Sequence, residues 1–303
     1  MLAIGLKLAD LAVVFSPYSS QLGHFNALLS FEPPEDMPPV RTLTAQDLFE
    51  PATFREIISQ WGAKLPTTDL KTAASLWSKQ YNSIILYRAL GLLTLGGIGI
   101  DSSLANLSLS LSTQEGEARY QGIGRPIRAI WHNLDNTVVY APRCHAEDLT
   151  AQIERKAQSL DELYHFTFTN LFKNHFALVY EQIHIATKVS KKVLWGNLGA
   201  ATAGLYHFLS HNLDSQPAFA EDNHAINQTA LNPYISEGKN PLFNQMILET
   251  LDDPAFPEPL RLRQTCCLWY KVPEMQMCLT CPLEKPETRQ ERWKTYFANQ
   301  ADH

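Results

Sequence analysis

Cysteine is scarce in this chain of 303 residues: there are five, and four of them fall within the 16 residues from Cys266 to Cys281. An excess of positive charge is lacking too. The 25 Lys and Arg stand against 31 Asp and Glu, a net charge of −6, which argues against nucleic acid or an anionic lipid surface as a partner drawn by long-range attraction. No uninterrupted apolar run of membrane-spanning length occurs. The most apolar stretch, SIILYRALGLLTLGGIGI at 83–100, carries Arg88 and ends in Gly96, Gly97 and Gly99. A charge at mid-bilayer is expensive, so a buried helix running out into a glycine-rich turn is expected there. The opening MLAIGLKLADLAVVF is interrupted by Lys7 and Asp10 without a small-residue cleavage site after it, which fits an amphipathic helix or strand better than a secretory signal. A G-x-G-x-x-G loop is missing as well: GLLTLGGIGI has the wrong spacing and context, so bound NAD(P)H or flavin is not expected and reductant must come from a partner. These absences point to the cytoplasm, with no transmembrane span, although peripheral contact with a membrane stays compatible. That compartment is reducing, so clustered cysteines suggest metal or redox chemistry rather than disulfides.

What is present suffices for a sizeable core, since 45% of the residues are hydrophobic. The proline-rich FEPPEDMPPV (31–40) is a connector. After it, Pro51 suits a first helical turn and Phe54, Ile57, Ile58 and Trp61 share one face. Thr68 or Asp69 can cap a second helix that passes through Leu76, Trp77 and Tyr81 into the apolar stretch. SLANLSLSLS (103–112) alternates like a strand, and IRAIWHNLDNTVVYA (127–141) suggests two short strands joined around Asp135-Asn136. Helical periodicity returns from about residue 145. A further helix is expected from near Ser190, closely packed because of Gly196, Gly199, Ala200, Ala201, Ala203 and Gly204. The expected class is α+β and α-rich, with helices around a small mid-chain antiparallel sheet at 103–141 and a C-terminal cysteine loop on its edge. DDPAFPEPL (252–260) reads as a linker, dividing a 1–255 domain from a 256–303 cysteine segment.

Charge separates along the chain. Residues 211–260 hold eight acids against Lys239 alone, whereas 261–294 hold seven bases against four acids, a basic island suited either to an acidic electron donor or to an ordinary solvated surface. His207 and His211 stand four apart on a helix, but no H-E-x-x-H pattern accompanies them, so surface or capping roles are favoured over a metal pair. His175 and His184, nine apart, suit no local metal pair. Cys144, beside His145, fits a structural bystander better than a reactive thiol.

The cysteine pattern is Cys266-Cys267, ten residues, Cys278, two residues, Cys281. A C-x2-C turn aims two thiolates at one metal ion. Adjacent cysteines point in different directions in most backbone conformations, so using both at one centre demands a locally bent chain. Structural zinc sites prefer pairs spaced two to four apart; an iron–sulfur cluster tolerates odd spacing because two irons spread the ligand positions. Both take four cysteines, and spacing leaves both open.

RQTCCLWYKVPEMQMCLTC, with NPLF (240–243) and VLWGN (193–197) upstream and a fainter SLWSKQY (75–81), resembles the FhuF-like siderophore-iron reductases. The resemblance is clearest over residues 190–283. It implies a [2Fe-2S] cluster held by Cys266, Cys267, Cys278 and Cys281, and an oxidoreductase that passes one electron to a ferric siderophore, hydroxamate type favoured. An external donor, a ferredoxin or a reductase, would supply the electron. It leaves the roles of Trp195 and Asn197 undefined, with core packing and a buried amide hydrogen bond expected on physical grounds. The rival readings are a zinc-stabilised, non-enzymatic binding module, and a relative of the ATP-dependent siderophore synthetases, which carry FhuF-like sequence but are longer and lack the cysteine tail.

Overall fold

The computed structural model of the protein describes residues 8–22, 41–112 and 155–301, apart from positions 64, 66, 68, 215 and 257, together with strand segments at 119–120, 123–124, 128–133 and 138–140. The proline-rich 31–40 connector, the Asp135-Asn136 joint, Cys144 and His145 lie outside the described residues.

Two 22-residue helices organise the molecule. Helix α2 (Leu70–Gly91) follows the shorter α1 (Pro51–Ala63) and starts where Asp69 Oδ1 accepts the Lys71 N–H at 3.1 Å. It is buried around most of its circumference. Even its polar residues Thr72, Ser75, Ser78 and Asn82 are fully enclosed, so each must find a partner inside the protein. The apolar stretch continues as wide helical turns at Leu92–Gly96 and is stopped by Gly97, whose φ of 66° a side chain would resist. No helix among the described residues is long and apolar enough to cross a membrane.

A continuous helical rod, α3 (Leu160–Phe168), wide turns at Thr169–Phe176 and α4 (Ala177–Thr187), ends in a left-handed Lys188, with His184 Nδ1 bound to the Val189 carbonyl at 2.7 Å. Helix α5 (Lys191–Asn212) then begins at the expected serine: Ser190 Oγ accepts the Lys192 N–H at 3.2 Å. Aromatic rings from α2 and the rod, including Trp77, Tyr81, Phe176 and Tyr180, fill one continuous core.

The small sheet is present. Strand β3 (Leu107–Ser112) pairs antiparallel with β1 (Arg41–Thr44) on one side and β4 (Arg128–Asn133) on the other. The two strands expected within 127–141 both form, but they do not pair with each other. β5 (Val138–Tyr140) instead joins β2 (Ile98–Ile100) and, in parallel, β6 (Arg155–Lys156). Ile98 and Ile100 are fully buried, and their pairing with β5 prevails over the local hairpin. The opening segment, helix or strand from sequence, is helical over Leu8–Tyr18 and buries Leu11, Val14 and Phe15.

Candidate metal centre

The C-terminal segment lies flat along one stripe of α5, and the small residues of that stripe make this possible. A Cβ on Gly196 would stand 2.5 Å from Thr265 Cβ, and one on Gly199 would stand 2.5 Å from Gln245 Cβ. Between these contacts β7 (Met246–Glu249) and β8 (Leu260–Arg263) form an antiparallel pair, with Arg263 opposite Met246. Arg263 N–H reaches the Thr280 carbonyl at 3.0 Å. That bond brings the Cys278–Cys281 turn back beside the vicinal pair.

All four cysteines meet here. Cys267 and Cys281 are buried, whereas Cys266 and Cys278 are partly exposed. The bend that the vicinal pair requires is found at Leu268, whose φ is 65°, a left-handed conformation unfavourable for a branched residue. It turns the Leu268 N–H toward Cys266 Sγ at 3.4 Å, and the Trp269 N–H toward Cys267. Cys281 N–H closes the second turn on the Cys278 carbonyl at 2.9 Å. Cys278 donates its S–H to Cys267, which together with Lys79 and Arg263 holds the Cys267 thiol low; the same bond and burial push Cys278 up. Burial raises Cys266.

Arg263 is the buried cation of the site, only 5% exposed. Its Nη2 donates to Asn197 Oδ1, and Asn197 Nδ2 donates to the Ser75 carbonyl at 2.9 Å, with Ser75 Oγ and Ser78 Oγ each at 3.1 Å. Ser75 Oγ in turn donates to the Cys267 carbonyl at 2.8 Å. The enclosed serines of α2, the amide of α5 and the cysteine segment thus form one polar network. Asn197 makes the buried amide hydrogen bond expected of it, and Trp195 packs edge-on against Tyr180, the centroids 5.0 Å apart.

Sequence reasoning missed the lid of the second turn. Helix α6 (Pro286–Ala301) packs Trp293 with Phe256 and Leu260 in a small separate core. Trp293 Nε1 donates to the Leu279 carbonyl at 3.0 Å, and Arg292 donates to the Met277 carbonyl at 2.6 Å and to both Glu284 oxygens. The four-residue spacing of Arg289, Trp293 and Phe297, after a proline at the first helical position, was the available signal. The basic island is largely neutralised from within. Arg289 meets Glu249, Lys294 meets Asp253 and Lys271 meets Asp69, at 3.6, 3.4 and 3.8 Å. Two of those partners, Glu249 and Asp253, come from the acidic block that precedes it.

His175 is a core residue, its ring between the Tyr81 hydroxyl at 2.6 Å and the Ser102 carbonyl at 2.8 Å, and burial pushes it down to about 4. His207 and His211 have an acidic companion that the sequence pattern did not offer: Glu258, from the linker, places Oε2 3.9 and 3.4 Å from their Nε2 atoms.

The cysteine site suits a two-iron cluster. It offers four thiols, amide donors aimed at sulfur, and two cations to offset thiolate charge.

Residues 75–253 match the family described as Ferric iron reductase FhuF-like transporter, and residues 263–283 match the FhuF 2Fe-2S C-terminal domain. The second match decides between the cluster and zinc readings in favour of a [2Fe-2S] cluster. No curated protein matches the chain. Among solved structures, it is similar to aerobactin synthetase IucC from a hypervirulent pathotype of Klebsiella pneumoniae, with 13% identity and a TM-score of 0.41 over 68% of this chain; the chain spans 36% of that one.

Proposed function

The chain belongs to the FhuF-like ferric iron reductase family, an oxidoreductase family, and from that premise we propose that it reduces Fe(III) carried into the cytoplasm by siderophores, hydroxamates foremost, with Cys266, Cys267, Cys278 and Cys281 as the ligands of its [2Fe-2S] cluster. Residues 256–303 form the cluster-binding unit in this reading, and 1–255 the supporting domain. When bound, such a centre supplies one electron at a time, the amount that converts Fe(III) to Fe(II). The observation that carries the reading is the meeting of all four thiols within the segment matched by the 2Fe-2S domain.

The chain's own residues hold the ligand shell and expose one side of it. Leu268 and Trp269 donate amide hydrogens to sulfur, and Arg263 and Lys79 place positive charge beside it, which favours the more negatively charged, reduced state. Cys266 and Cys278 are partly exposed, which supports electron exchange with donor and ferric chelate through these two thiolates. Hard hydroxamate oxygens hold Fe(III) far more tightly than the larger, less charged Fe(II), so reduction alone loosens the metal and no protein nucleophile or base is required. The donor is a separate redox protein, a ferredoxin or a reductase, because the sequence carries no dinucleotide loop.

The test is stoichiometric. Protein reduced with dithionite, freed of excess reductant and mixed anaerobically with a ferric hydroxamate should reoxidise while one Fe(II) appears per electron lost, trapped by a ferrous-specific chelator. Reoxidation without Fe(II), or a colourless preparation holding one zinc, would overturn the reading.

A further inference from the structure

His207, His211 and Glu258 converge toward the C-terminal end of α5, just before the start of β8, whereas the cysteines follow the end of that strand. Ten residues of helix separate His207 from Asn197, about 15 Å at 1.5 Å per residue. The three side chains come from two elements, and their ligating atoms all lie within 4.8 Å of one another.

Hydrogen bonding fixes the orientation of one ring. His211 Nδ1 stands 2.8 Å from the His207 carbonyl oxygen. A carbonyl only accepts, so Nδ1 carries the hydrogen. The neutral ring then holds its lone pair on Nε2, which stands 3.4 Å from a Glu258 carboxylate oxygen. Two lone pairs do not face each other at this distance unless a positive centre lies between them, and that centre is either a proton or a metal ion. The second imidazole distinguishes the two arrangements. His207 Nε2 stands 3.9 Å from the same oxygen, and the rings are 3.9 Å apart. A proton links two atoms, whereas a metal ion draws in all three. In a tetrahedral site with metal–ligand bonds of about 2.0–2.1 Å, donors lie about 3.3 Å apart, and at 3.4 and 3.9 Å the Glu258 oxygen already stands near that spacing from both imidazole nitrogens. Arg261 lies near His207 and opposes a cation; the Glu258 carboxylate offsets it. With His211 54% and Glu258 31% exposed, the site is open to solvent, which leaves further positions to water.

We infer that His207, His211 and Glu258 form a binding site for one divalent first-row transition-metal ion, separate from the cysteine centre. Two imidazoles and a carboxylate suit Zn(II) and Fe(II), and exclude both the soft Cu(I) that prefers sulfur and the hard Ca(II) and Mg(II) that prefer all-oxygen shells. The hydrogen bond from His211 Nδ1 to a backbone carbonyl is the kind of outer contact that orients a metal-bound imidazole.

The full-length, cluster-loaded protein, dialysed against micromolar Zn(II) and assayed for metal content, should retain one zinc per chain beyond the cluster iron. His211→Gln and Glu258→Gln should each weaken retention by about tenfold or more while leaving the visible absorption of the cluster unchanged; His207→Gln is the check should either variant fail to fold. Zinc-edge X-ray absorption should show a nitrogen and oxygen shell near 2.0 Å without sulfur. Absence of retained zinc, equal retention by all variants, or a sulfur shell would each overturn the inference and leave a simple ion pair between His211 and Glu258. None of these readouts depends on ferric reductase activity.

Discussion

Arg263 Nη2 and Asn197 Oδ1 are hydrogen-bonded to each other in the interior, joining the strand that enters the cysteine segment to the second turn of helix α5. The guanidinium has few alternatives. Its Nε is buried without a hydrogen-bond partner, and Asn197 also satisfies the enclosed Ser75 and Ser78. A buried cation that loses an acceptor retains the desolvation penalty without the compensating bond. Asn197→Ala should therefore destabilise the protein by about 3 kcal/mol, read by urea denaturation, and should lower iron content per chain. Unchanged stability with full iron content would show that the network does not hold the centre.

The turn between Cys278 and Cys281 is covered from outside by α6. Trp293 is 2% exposed and bonds the Leu279 carbonyl, so truncating it removes both a ring from the small core and a ligand-loop anchor. Trp293→Ala should cost about 3–5 kcal/mol locally. Because Phe256, Leu260 and Trp293 form a core of their own, we expect the loss as faster bleaching of cluster absorption by a chelator, with the far-UV circular dichroism of the main helices nearly intact. Equal bleaching rates would contradict an anchoring role.

Those two contacts mark where sequence is informative and where it is not. The cysteine pattern, the Ser190 cap, the end of α2 at a glycine turn and the small-residue face of α5 are local signals, carried by spacing and by backbone preference, and they are visible in the linear chain. The pairing of Asn197 with Arg263, of His211 with Glu258, and of β5 with β2 rather than β4 depends on tertiary placement that no window of residues contains. Charge is the clearest example. The acidic block and the basic island look like separate surfaces in the sequence, yet Glu249 with Arg289 and Asp253 with Lys294 neutralise each other in the fold.

Lys79 on α2 sets its Nζ 5.4 Å from the centre of the Trp269 ring and contributes positive charge near Cys267. Reduction of the bound cluster adds negative charge, which a nearby cation stabilises. Lys79→Gln should therefore lower the midpoint potential, by roughly 20–60 mV for a partly exposed one-electron centre, with fold stability changed by less than about 0.5 kcal/mol. A redox titration followed by electron paramagnetic resonance measures the shift; an unchanged or raised potential would exclude electrostatic tuning by this residue.

His175 makes acid stability measurable. Its ring is wholly buried, with Nδ1 donating to the Ser102 carbonyl and Nε2 accepting from the Tyr81 hydroxyl, so the neutral form is the one the core accommodates. Burial pushes the group from an ordinary 6.5 down to about 4. Between these values the unfolded chain binds the proton and the folded chain does not, so stability is complete above about pH 6.5 and falls as pH drops toward 4. The loss from this one group between pH 7.5 and 5 is about 2 kcal/mol. Urea midpoints recorded across that range should fall accordingly, and His175→Gln, although less stable at pH 7.5, should show a flatter dependence by that amount. A variant with the same slope as the parent would mean that other groups govern the acid limb, and that the buried Tyr81–His175–Ser102 chain does not.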